Sequence, residues 1–285
     1  MTDDAPARER VFNIPGVVLA LVVLLVLIHL TLAFLLTVEQ TNRLLMLFAF
    51  SPLRYADVVV PGDILPMGWG PKLWTFVSYA FIHADLNHLF FNLVWLLAFG
   101  PPIARRFGAG RFLTFCAFTA AAGAAAHLAT HSGQFAPMIG ASATISGAMA
   151  AAMRFVFQRG GPLGMIGSSD QDESYRVPAA PLTSMLRDPR ILAFLAVWFG
   201  VNILFGVGAI TMPGLGGGTV AWEAHIGGFL AGLLGFSLFD PAHPDTPATA
   251  SQGPPVSTGD GPVQSPPVNP PQHLPAIAWS RASHD

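Results

Sequence analysis

Residues 16–36 form an unbroken apolar run without a single Asp, Glu, Lys or Arg. Its length matches the roughly 20 residues that a helix needs to cross a hydrocarbon core. It lacks the short core and small-residue cleavage site of a signal peptide, so it reads as a retained first span. Five further apolar segments follow, at 86–102, 112–129, 142–157, 191–205 and 222–238. They are shorter or richer in Gly and Ala than the first, as expected of helices buried among neighbours, where small residues let backbones approach. Only 11% of the 285 residues are charged, against about 25% in a soluble domain. The expected fold is an all-α membrane protein with six transmembrane helices.

The basic residues give the expected orientation. Arg8 and Arg10 precede the first span, and Arg105, Arg106 and Arg111 lie between the second and third. Arg154, Arg159, Arg176, Arg187 and Arg190 surround the connection from the fourth to the fifth, whereas loops 131–139 and 206–219 hold no Lys or Arg. Both termini are therefore expected in the cytoplasm, with Arg43, Arg54 and Lys72 of the long 37–79 loop as the exceptions. That loop is too apolar for a solvated linker. Its 44–50 stretch and Trp69, Trp74, Phe76 and Tyr79 suggest a structure partly embedded at the membrane interface.

From Asp240 the composition shifts: 11 of the chain's 25 prolines fall in its last 46 residues. Such a tail cannot bury a core, and disorder is expected. The expected organisation is a cytoplasmic segment (1–14), a six-helix domain (15–239) and a cytoplasmic tail (240–285). The near balance of 14 basic and 16 acidic residues gives no footprint for nucleic acid. Cys116 is the sole cysteine, which excludes an internal disulfide and a cysteine-based metal cluster. No internal repeat is evident, which counts against a transporter built on inverted repeats.

Polar groups stand at the heads of three spans: His83, His88 and Asn92 at the second, Ser142 at the fourth and His225 at the sixth. Ionisable groups are costly in a bilayer and are usually functional there. His88, Ser142 and His225 stand about 15 to 17 residues before the polar ends of their helices, at Arg105, Arg159 and Asp240, hence roughly 22–26 Å above the inner edge of the hydrocarbon core. They share one level. The fourth segment, roughly 24 Å long, is too short to cross fully, so its preceding loop must dip into a water-filled cavity.

His88 and Asn92 share a helix face, as do Ser142 and Ser146. A seam of Gly228, Gly232 and Gly235 would draw the His225 face against a neighbour; if that neighbour is the fourth helix, His225 reaches Ser142. Ser142 opens its helix, so its backbone N–H is an available oxyanion donor. Glu223 points to another face and Asp85 lies above the second span, so a Ser–His dyad is expected rather than a triad.

A serine in a membrane helix most often only bonds a backbone carbonyl, and a lone histidine is often a packing residue. The joint placement of Ser142 and His225 favours chemistry over that reading. His29 reads as structural, His127 and His131 as interfacial, and the tail histidines carry no signal. A zinc site from His83, His88 and His225 lacks the His-Glu-x-x-His pattern that would supply its base.

These motifs resemble those of the rhomboid intramembrane serine proteases, bacterial type, over residues 74–238. His83-x4-His88-x3-Asn92 is similar to the family's second-helix motif, Gly140-Ala141-Ser142-Ala143 to its serine motif, and Ala224-His225-x2-Gly228-x3-Gly232 to its histidine motif. The resemblance implies a rhomboid-like bundle in which Ser142 is nucleophile and His225 base. It implies that His88 and Asn92 donate to the oxyanion, that His83 supports the site, and that Gly140 and Gly228 are close-approach positions. No cofactor and no metal are implied. The partners would be transmembrane protein substrates and the lipid bilayer, with the bacterial inner membrane as location. The chain departs from the family pattern at Ala143 (Gly expected), Thr75 (Arg), Ala104 (Glu) and Ser146 (an aromatic in some members). The alternatives are a rhomboid-like protein that binds membrane clients without cutting them, and a proton-coupled transporter.

Overall fold

The computed structural model describes residues 14–57, 65–66, 68–163, 171–206 and 220–241. The expected N-terminal segment up to residue 13, nearly all of the 206–219 loop and the tail beyond Pro241 lie outside them. The described residues are helical, and their one β-type pairing is an isolated bridge between Phe50 and Met138.

The first span, α1 (Gly16–Leu30), runs on through a π-helical turn (Thr31–Leu35). The long loop then folds rather than trailing. Helix α2 (Val38–Phe48) starts at a capping box in which Thr37 Oγ1 accepts from Gln40 N–H and Gln40 Oε1 accepts from Thr37 N–H. A short 3-10 turn and α3 (Trp69–Ser78) follow. Arg54 is wholly buried here and donates to the carbonyls of Met46 and Pro66. A buried charge is tolerated only when so bonded. Phe50 seals the loop against Tyr55, Phe76 and Tyr79.

Next come α4 (Leu86–Phe107), α5 (Ala109–Thr130), α6 (Ser142–Ala152), the short α7 (Gln171–Ser174) and α8 (Leu182–Met185), α9 (Pro189–Gly206) and α10 (Trp222–Phe239). Among the described residues, four helices (α1, α4, α5 and α10) are long and apolar enough to span a membrane, and α9 is a shorter apolar helix. With α6 they make the six expected elements. The protein is an all-α membrane bundle.

Helix α6 has 11 residues, roughly 16 Å, shorter than the segment read from sequence; after Ala152 the chain turns irregular. All residues of α6 after Ser142 are buried. Their smallness explains how α4, α5 and α10 can close around them. Large side chains face outward instead, including Phe34, Leu35, Val197 and Leu238, all exposed. That inverts the soluble pattern and fits a lipid-facing surface.

Gly228 and Gly232 sit main chain to main chain on α6: an added Cβ would be driven into the carbonyl oxygens of Ala143 and Gly147. The third glycine of the expected seam, Gly235, faces Phe118 of α5 instead. At the opposite end of these helices Arg106 is buried in a bidentate pair with Asp240 (2.9 and 2.8 Å) and donates to the carbonyls of Tyr175 and Val177. Asp240 therefore belongs to the membrane domain rather than to the tail. Arg154 donates to the carbonyls of Ala180 and Leu233.

Candidate active site

Ser142 is the first residue of α6, and its position depends on the turn before it. Gly140 has φ +114°, a conformation L side chains rarely adopt, and a Cβ there would lie 2.7 Å from His88 Nε2. Gly140 N–H donates to Tyr79 O (3.0 Å), and Ala141 N–H donates to His83 Nε2 (3.4 Å). The Tyr79 hydroxyl in turn donates to Ala120 O on α5 (2.9 Å). The turn is thus held by one main-chain bond to Tyr79 and one to the His83 ring, and the Ser142 side chain enters a cavity of about 550 Å³.

His225 lies in the first turn of α10, and its Nε2 is 2.7 Å from Ser142 Oγ. A hydroxyl donating to a neutral imidazole nitrogen is the arrangement from which a serine can be activated. The expected reach from α10 to α6 is present, and the Gly228–Ala143 contact one turn along sets the spacing.

The second-helix residues line the same cavity. Asp85 caps α4, its Oδ1 accepting from His88 N–H (2.9 Å). His88 Nδ1 accepts from Ala84 N–H (3.4 Å), which leaves the proton on Nε2, the nitrogen beside Gly140 and the cavity. Asn92 donates one Nδ2 proton to His88 O (2.8 Å) and keeps the other. His83 is buried and packs edge-on against His88, ring centroids 5.0 Å apart. The structure brings Ser142, His225, His88 and Asn92 to one cavity, with His83, Gly140 and Gly228 packed behind them.

One sequence expectation needs correcting, and one residue was missed. His127 is buried rather than interfacial: its Nδ1 is 2.5 Å from Glu223 Oε1 and its Nε2 bonds Ala136 O (2.9 Å). The loop 131–137 folds back over it, which the apolar pattern of α5 did not reveal. With Asp85 engaged as a cap and Glu223 turned to His127, neither carboxylate is bonded to His225. A second residue does reach the imidazole, and the sequence reading missed it. Asn202 of α9, buried, places Oδ1 2.5 Å from His225 Nδ1. Its signal was a lone amide within an apolar helix.

The rest of the cavity wall is mostly apolar, with Phe91, Trp95 and Phe99 from α4 and Met149, Trp198 and Val201, alongside the polar Asn87 and Ser146. A family model described as the rhomboid domain matches residues 70–240. The chain belongs to the rhomboid family.

Similar proteins include the rhomboid protease GlpG of Serratia proteamaculans (strain 568), 39% identical over 49 residues. That stretch covers 17% of this chain and 18% of the Serratia protein. The proteins of the same name from Yersinia pestis (strain Pestoides F) and Yersinia pseudotuberculosis serotype O:3 (strain YPIII) are 31% identical over 68 residues. Those cover 21% of this chain and 24% of each relative. The matched stretches thus span a quarter or less of these relatives.

Within the rhomboid domain the departures from the family pattern are accommodated. The Ala143 methyl sits against Gly123, where a Cβ would come within 2.6 Å of it. Ser146 donates to Ser142 O (2.7 Å), Thr75 donates to Pro71 O (2.6 Å), and Ala104 is buried in the apolar core.

Proposed function

We propose that this rhomboid is an intramembrane serine endopeptidase that cleaves transmembrane client proteins near the extracytoplasmic face of the bilayer. The observation that carries the reading is the 2.7 Å contact between Ser142 Oγ and His225 Nε2 inside a cavity. Ser142 Oγ attacks the scissile carbonyl carbon while its proton passes to His225 Nε2. The oxyanion accepts from His88 Nε2–H, the free Asn92 N–H and the Ser142 main-chain N–H at the positive end of α6. His225 then gives its proton to the leaving amine. A water, deprotonated by the same nitrogen, hydrolyses the acyl-enzyme and restores Ser142. A helical client hides its carbonyls in internal hydrogen bonds, so a bent or unwound segment is the preferred substrate.

The same proposal sets the topology. Both termini lie in the cytoplasm, the site opens outward, and the membrane is the bacterial inner membrane, as the basic connections at one end of the bundle suggest. The 15–240 domain carries the activity, and the tail beyond it is dispensable for cleavage.

The test is incubation of detergent-purified protein with a labelled transmembrane substrate. Product from the wild type and none from Ser142→Ala is expected. No product from the wild type across several substrates would favour a client-binding protein without protease activity.

A further inference from the structure

Asn202 is the one polar residue of α9 between Pro189 and Leu204 apart from Arg190, and it is buried. A buried amide in an apolar helix is costly unless bonded. Here both ends are bonded. Nδ2 donates to Trp198 O, one turn back on its own helix, at 2.8 Å. That bond decides which way the amide faces, because only a donor satisfies a carbonyl. Oδ1 is therefore the end presented to His225 Nδ1 at 2.5 Å. An acceptor at Nδ1 requires a proton there, which leaves Nε2 with its lone pair toward the Ser142 hydroxyl at 2.7 Å.

The chain of bonds runs Trp198 O, Asn202 amide, His225 imidazole, Ser142 hydroxyl, each donor meeting one acceptor. A tautomer with its proton on Nε2 would face the serine with a donor and could not take its proton. We infer that Asn202 is a positioning residue that fixes the tautomer and ring angle of His225, so that three helices rather than two assemble the reactive pair. The carboxylates Asp85 and Glu223 are engaged elsewhere, as a helix cap and as the partner of His127. The imidazole thus takes its orientation from a neutral amide. After Ser142 transfers its proton, the imidazolium carries protons on both nitrogens, and Oδ1 continues to accept from Nδ1. The amide stabilises that cation by a dipole alone, where a carboxylate would add a full charge.

This inference rests on the Ser142–His225 reading, and the experiment separates the two. Full-length protein in detergent is assayed with a labelled transmembrane substrate from pH 5 to 9, resolving kcat from KM. Wild type, Ser142→Ala, His225→Ala, Asn202→Ala and Asn202→Asp are compared. Asn202→Ala should lower kcat on the order of 10- to 100-fold with KM unchanged, the scale of a misplaced catalytic group. Asn202→Asp keeps the shape and the acceptor but adds charge. It should retain more activity than Asn202→Ala, and its acid limb should move to higher pH, because a carboxylate favours the protonated imidazole. A merely structural role would lower thermal stability without moving that limb. If Ser142→Ala or His225→Ala still cleaves, the dyad reading fails. If both are inactive while Asn202→Ala keeps wild-type kcat, or Asn202→Asp leaves the acid limb in place, the positioning role alone is overturned.

Discussion

Gly228 lies flush against the main chain of Ala143, so the residue after Ser142 and the residue one turn beyond His225 meet with no side chain between them. The separation of Ser142 and His225 is set by two backbones rather than by rotamers. Gly228→Ala should therefore push α10 away from α6. The expected cost is about 1–3 kcal/mol of stability, as for other overpacked sites, together with a loss of cleavage. Gly200→Ala in α9, where a Cβ meets nothing within 4 Å, is the control and should leave stability unchanged or raise it by up to about 1 kcal/mol. Melting curves and cleavage rates in one detergent check both. Equal behaviour of the two variants would remove the seam from the argument.

The reactive pair should act as a unit. Ser142→Ala and His225→Ala should each abolish cleavage, and the double variant should be no worse than either, because such effects are not additive. A fluorophosphonate reagent should label wild type on Ser142. Labelling that persists in Ser142→Ala would identify another nucleophile.

On the proposed mechanism, His88→Ala and Asn92→Ala remove donors whose partner exists only in the transition state. Each should lower kcat by roughly 10²–10³ with little change in KM. Gly140→Ala should produce a similar loss by a different route, since its Cβ would strike His88 Nε2 and its φ is strained for alanine. A variant of His88 or Asn92 with raised KM and normal kcat would reassign that residue to substrate binding.

Because Asp240 holds Arg106, the removable chain is expected to begin only after Pro241. A protein ending at Pro241 should melt and cleave as the full chain does. Asp240→Ala should cost about 3–5 kcal/mol, because it strands the buried Arg106 guanidinium. Thermal melts of the two proteins decide the point. A truncated protein as unstable as Asp240→Ala would show that the tail packs.

Much of this architecture was legible because membrane helices repeat a simple rule. Apolar length located the spans, and three motifs named Ser142, His225, His88 and Asn92, which the fold brings to one cavity. What escaped depended on rotation and on loop closure. Asn202 could face any direction around α9, and the packing of Trp198 and Phe199 on Phe229, ring centroids 4.8 and 5.7 Å away, turns it toward His225. His127 looked interfacial because burial came from the returning loop 131–137 rather than from its own helix. Gly235 shares the period of Gly228 and Gly232, but α10 crosses from α6 to α5 before reaching it. The 37–79 loop was recognisable as apolar, whereas the role of Arg54 as its internal hydrogen-bond donor was not.

The arginines near the far end of the bundle carry a double burden. In the sequence they are signals, read as the charge that decides which way the chain is threaded. In the structure Arg106 and Arg154 are also mortar: α6 stops short, and their guanidinium groups supply donors to four carbonyls, of Tyr175, Val177, Ala180 and Leu233. Lysine would keep the signal and lose the fork of donors. Moving charge at those positions to test threading would therefore loosen the bundle at the same time. Arg111, exposed at the start of α5, carries the signal without the mortar, and it is the position at which the two can be told apart.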